Sequence, residues 1–83
     1  MSAFTLGRIA YDERRRYREA ARWFQSYLRE EPAGGLAREA AGRLIESQRA
    51  AGDVGAARDS ASAYLNQYPA GPHAALARSV LNR

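Results

Sequence analysis

The chain repeats itself at a spacing of 37 residues: Tyr17, Ala20, Tyr27, Leu28 and Pro32 return as Val54, Ala57, Tyr64, Leu65 and Pro69. Self-similarity at a fixed period of this size marks architectures in which one supersecondary unit stacks on copies of itself. Each copy holds two stretches of helical periodicity, so the unit reads as a helical hairpin. A lone hairpin cannot bury its apolar face, so hairpins stack and leave grooved surfaces for other molecules. This pattern directs function toward binding rather than chemistry.

With 83 residues the chain makes one small domain, a size at which a single core supplies only roughly 3–5 kcal/mol of net stability. Eighteen alanines and few β-branched residues (Thr5, Ile9, Ile45, Val54, Val80) favour helix throughout, because alanine loses no side-chain entropy in a helix. The expected class is all-α. There is no cysteine, which removes disulfides and thiolate metal sites and leaves the redox compartment open. No run of about 18 apolar residues is present to span a bilayer, so the chain as given reads as soluble. Cytoplasm and periplasm both fit.

Five helical segments can be placed. The first, near residues 2–14, carries Phe4, Ile9 and Ala10 with Leu6 and Gly7 beside them. After the polar cluster Asp12 to Arg16, a second carries Tyr17, Ala20, Phe24, Tyr27 and Leu28 on one face and stops at Pro32. Leu36, Ala40, Ala41, Leu44, Ile45 and Gln48 carry the third, closed by Gly52 in a left-handed C-terminal position. The Asp53 carboxylate is suited to accept first-turn N–H groups of the fourth, whose buried stripe is Val54, Ala57, Ala61, Tyr64 and Leu65, ending at Pro69. Pro72 opens the fifth, which continues through Ala74, Ala77, Val80 and Leu81. Gly7 matches Gly42 at an offset of 35, against 37 for the rest, so two extra residues are expected around the internal turn of the second hairpin.

The run Tyr17 to Phe24, with Tyr27, Leu28 and Pro32 after it, resembles the second half of a tetratricopeptide repeat. Ala20 to Pro32 and Ala57 to Pro69 both span twelve positions, as that family requires, and Leu6-Gly7 and Ala41-Gly42 resemble its first-helix small-residue pair. Ala61 stands where Phe24 supplies an aromatic, and the period exceeds that of the family. The Tyr64 to Ala74 stretch looks most like divergent bacterial repeats of envelope proteins, or of regulators of the anti-sigma type. The resemblance implies a right-handed stack of two hairpins, at about residues 2–32 and 34–69, plus a capping helix at about 71–83. It also implies a scaffold for protein–protein interaction.

In such stacks the first helix of each hairpin lines a concave groove. The resemblance therefore points to Arg8, Tyr11, Asp12, Glu39, Arg43, Glu46 and Ser47 as partner-binding residues. Arg8 and Arg43 in register would clamp a peptide carboxylate, unless they are simply solvated beside Asp12, Glu39 and Glu46. A second possibility is the basic strip Arg14, Arg15, Arg18, Arg22 and Arg29, either a solvated outer face or a dock for nucleic acid or an anionic surface. The net charge of +4 rests on 13 arginines and no lysine. Trp23 either covers the junction between hairpins or anchors a partner. Self-association is a further option, since the fifth helix has no successor to cover Leu76 or Val80.

Enzyme chemistry lacks parts. His73 is the only histidine and has no sequence-local base or nucleophile. No phosphate-cradling glycine loop occurs, and Gly34-Gly35 reads as a hairpin turn. No catalytic residue, metal or cofactor is expected.

Overall fold

The computed structural model describes residues 1–82; Arg83, the last position of the anticipated capping segment, lies outside the described residues. Five helices follow one another: α1 (Ala3–Asp12), α2 (Tyr17–Glu30), α3 (Ala37–Ala50), α4 (Val54–Gln67) and α5 (Ala74–Leu81). Among the described residues there is no strand. Each helix packs on the next, joined by short connections that make neighbours antiparallel, and α5 returns to touch α3. The result is two hairpins, α1–α2 and α3–α4, with a fifth helix against the second.

α3 is the shared wall. Its Ala40 and Leu44 enter a core with Ala10, Ala20, Ala21 and Phe24. Its Ile45 enters a second core with Ala57, Ala61, Tyr64, Ala74, Ala77 and Val80. Alanines at Ala20, Ala40, Ala57, Ala61 and Ala77 are sealed from solvent, and their small size brings the helix axes close enough for the few large side chains to bridge them.

Two tyrosines, Tyr27 and Tyr64, make the same kind of bond at two helix entries. The Tyr27 hydroxyl accepts a hydrogen bond from the N–H of Leu36 at 3.2 Å, and the Tyr64 hydroxyl accepts one from the N–H of His73 at 2.9 Å. Leu36 and His73 are the N-cap residues of α3 and α5, and neither supplies a side-chain cap of its own. Each tyrosine thus satisfies a backbone donor at the entry to the following helix. Gly34 and Gly71 make the latch possible, because a Cβ at either would collide with that hydroxyl.

Several expectations change in the structure. Val54 is 64% exposed, not part of the buried stripe, because it opens α4 and the first residue of that helix to reach the core is Ala57. Leu36 likewise sits outside α3 and is exposed. Asp53 occupies the N-cap of α4 but its side chain makes no cap hydrogen bond; in α1 it is Ser2 that caps, accepting from the Thr5 N–H. Pro72 lies in the turn before α5, not in its first helical turn. Val80 is buried in the second core, and Leu76 packs partly against it.

The two residues by which the second hairpin exceeds the first lengthen α3, not its turn. Five helical residues follow Gly7 in α1 and eight follow Gly42 in α3, while the connection shrinks from residues 13–16 to residues 51–53. Gly52, at φ 79°, closes α3 as expected. Its N–H bonds the Arg49 carbonyl and the Asp53 N–H bonds the Gln48 carbonyl, the paired bonds of a Schellman end. The matching position in the first hairpin is Arg15, also left-handed at φ 54°.

Candidate functional site

Two surfaces stand out. The first runs across α1, α3 and the entry to α5. Arg43 projects from α3 so that its guanidinium lies over the Tyr11 ring, 4.8 Å from the centroid, and 5.7 Å from that of Phe24. Its Nη2 donates to the Asp12 carboxylate at 2.8 Å, and its Nε lies 3.5 Å from Glu46. The other oxygen of Glu46 stands 3.6 Å from Nε2 of His73. Asp12, Arg43, Glu46 and His73 therefore form one chain of polar contacts that links α1, α3 and the entry to α5. With its side chain only 18% exposed, Arg43 gains from desolvated cation–π contact as well as from the ion pair.

Burial raises the Tyr11 pKa above its ordinary value, and the Glu46 carboxylate and Tyr17 push the same way against the opposing arginines Arg43 and Arg49. Ser47 faces the interior, fully buried, with its hydroxyl donated to the Arg43 carbonyl at 2.8 Å. It offers nothing to a partner. Arg8 and Glu39 are exposed, and neither belongs to the chain of contacts that holds Arg43. The structure thus groups Tyr11, Asp12, Arg43 and Glu46 and leaves Arg8, Glu39 and Ser47 apart.

His73 is more deeply placed than its position at a helix start suggests. Its ring lies edge-on to Tyr64, 6.0 Å between centroids, and it rests on Gly42 so closely that any Cβ there would overlap the imidazole. Nδ1 is buried without a hydrogen-bond partner. Gly7 plays the same part in the first hairpin, where a Cβ would come within 2.8 Å of the Phe24 ring.

The second surface lies between α2 and α4 and was not anticipated. It is a groove enclosing about 240 Å³, floored by Ala41 and Leu44 of α3 and walled by Leu28 and Pro32 on one side and Ala63 and Tyr64 on the other. It stays open because small residues (Ala41, Ser60, Ala63) stand where larger ones would fill it. The alternation of Ser60 and Ala63 with Tyr64 and Gln67 along α4 is the signal that sequence reading could have used.

No arginine of α2 lines this groove, and Arg22 lies instead beside Glu19, Trp23 and Ser26. Arg18, Arg22 and Arg29 are exposed on α2. At about 100° per residue, Arg18 and Arg29 fall roughly 80–100° around the helix from Leu28. They lie on the side away from Tyr27, which faces α1 through Phe4. Arg29 donates to Ser26 at 3.3 Å. Arg14 and Arg15, also exposed, belong to the turn before α2, so the basic strip on the helix itself has three members. Trp23 is partly buried against the first core.

Among the described residues no group of three or more histidines or carboxylates is placed to hold a metal ion, and no helix is long and apolar enough to cross a membrane. No family model, curated protein or solved structure matches the chain.

Proposed function

We propose that this chain is a non-catalytic protein-binding module of tetratricopeptide-like build, and that it docks its partner in the α2–α4 groove. The observation that carries this reading is the groove itself: an open apolar trough, walled by the paired second helices of the two hairpins and floored by α3. Such concave apolar surfaces with polar rims are where proteins bind other molecules. The opposite face supports docking less well, because Arg43 is already paired with Asp12 and Glu46, and a ligand carboxylate would have to displace an existing ion pair to reach it.

The test compares two variants for retention of partners from an extract of the source cell. Ala63→Arg blocks the groove at an exposed position; Arg8→Glu with Arg43→Glu disrupts the other face. Loss of at least tenfold in retention with Ala63→Arg, under an unchanged circular dichroism spectrum, is the expected result. Retention that survives Ala63→Arg and disappears with the arginine reversals would move the site to the α1–α3 face.

A further inference from the structure

We infer that the partner enters the α2–α4 groove with a single aromatic side chain, and that this ring belongs to a different protein, not to a second copy of the chain. This rests on the groove being the docking site. The extent of the walls, the volume between them, their lack of charge and the two tyrosines on one side all bear on the occupant.

The α2 side contributes only Leu28 and Pro32, while the α4 side is lined from Ser60 to Tyr68 above Ala41 and Leu44. So short a wall on one side accommodates one side chain, not a row of them, since each further turn of a docked helix would need about 5.4 Å more. The enclosed space of about 240 Å³ exceeds the ~150 Å³ of an apolar cavity that holds a benzene ring. A phenyl group fits, and a second group of that size does not.

Tyr64 and Tyr68 both line the α4 side, with ring centroids 5.2 Å apart and planes tilted by 56°. A ring inserted beside them gains aromatic contact beyond what its buried area alone supplies. No charged side chain lines the groove, so a lysine or glutamate placed in it would lose water without gaining a counter-charge. Ser60 and Gln67, also in the lining, carry hydroxyl and amide groups suited to hydrogen-bond the backbone around the anchor. A second copy has no ring to offer, because every phenylalanine, tyrosine and tryptophan of the chain is buried or partly buried. The anchor therefore comes from a protein that presents an exposed aromatic residue, the residue type that dominates binding energy at such pockets.

The experiment is amide chemical-shift mapping with the N-acetyl methylamides of phenylalanine, leucine and lysine. The phenylalanine probe should shift Leu28, Leu44, Ala63, Tyr64 and Gln67 and bind about threefold or more tightly than the leucine probe, while the lysine probe leaves these amides unmoved. Ala63→Leu at an exposed position and Ala41→Leu on the floor should each abolish the phenylalanine shifts under an unchanged circular dichroism spectrum. Leucine or lysine bound in the groove as tightly as phenylalanine overturns the aromatic anchor and leaves the groove standing. Phenylalanine shifts confined to other faces, or unaltered by both substitutions, overturn the anchor as well, and retention under Ala63→Arg then decides separately whether the groove docks a partner. Self-association of the chain abolished by Ala63→Leu overturns the assignment of the ring to a different protein.

Discussion

The first hairpin fills its interior from within, using Phe24 of α2 laid over Gly7 of α1, whereas the second borrows the equivalent ring from outside, using His73 at the entry to α5 laid over Gly42 of α3. Ala61 stands where Phe24 has its aromatic, and the vacancy is what lets the imidazole in. The comparison teaches that α5 is more than a lid. By donating His73 to the slot, and its N–H to Tyr64, it completes the interior of the hairpin it follows. The first hairpin needs no such help, and the Leu36 side chain at the matching entry is left exposed.

The largest effect should come from emptying the two slots. Phe24→Ala removes a fully buried ring and should cost about 3–5 kcal/mol in chemical denaturation. His73→Ala, removing a smaller and partly exposed ring, should cost only about 1–2 kcal/mol. Equal costs would mean the two slots are not filled differently.

Next come the left-handed turn residues. Arg15→Gly should raise stability by about 1 kcal/mol by relieving a conformation that side chains with a Cβ disfavour, and Gly52→Ala should lower it by a similar amount. Thermal unfolding of both variants checks the sign of each.

Removing the latch hydroxyls is expected to cost less, about 0.5–1 kcal/mol apiece, the lower part of the range for a net hydrogen bond. Tyr64→Phe should exceed Tyr27→Phe, since the Tyr64 bond is shorter and its ring more buried. A larger loss from Tyr27→Phe would reverse the ranking of the two hairpins.

The smallest effect concerns Tyr11, which belongs to the first hairpin alone. Its pKa is raised by burial first and by Glu46 next, so folding favours the neutral phenol. That contribution is complete below the ordinary tyrosine range near 10 and is lost as pH climbs through the raised folded value. Absorbance titration should find an ionisation above the ordinary tyrosine range that disappears in Tyr11→Phe, and the same substitution should reduce the alkaline loss of stability.

Much of this fold was legible in the sequence because its signals are local. Prolines ended helices, Gly52 announced a left-handed close, and alanines at repeat spacing marked the buried stripes. Arg15 was invisible, since nothing in an arginine signals positive φ; only its alignment with Gly52 does. Ser47 and Val80 were misread because burial depends on which neighbour covers a residue, and a serine one turn from Arg43 looks like surface until its hydroxyl is seen bonded to the Arg43 carbonyl. The α2–α4 groove was missed for a similar reason: a cavity is made by side chains that are too small, and smallness on a helix reads equally as close packing. Tyr11, Asp12, Arg43 and Glu46 were named as a partner-binding set by the family resemblance, whereas the structure brings them together as contacts of one another.

The central claim is that residues 61 and 73 share one slot that residue 24 fills alone. A double-mutant cycle tests it most directly: Ala61→Phe, His73→Ala and their combination, measured by chemical denaturation. Ala61→Phe alone should overpack the slot and cost about 1–3 kcal/mol, and adding His73→Ala should recover stability above that of the single Ala61→Phe protein. Strictly additive losses would contradict the account.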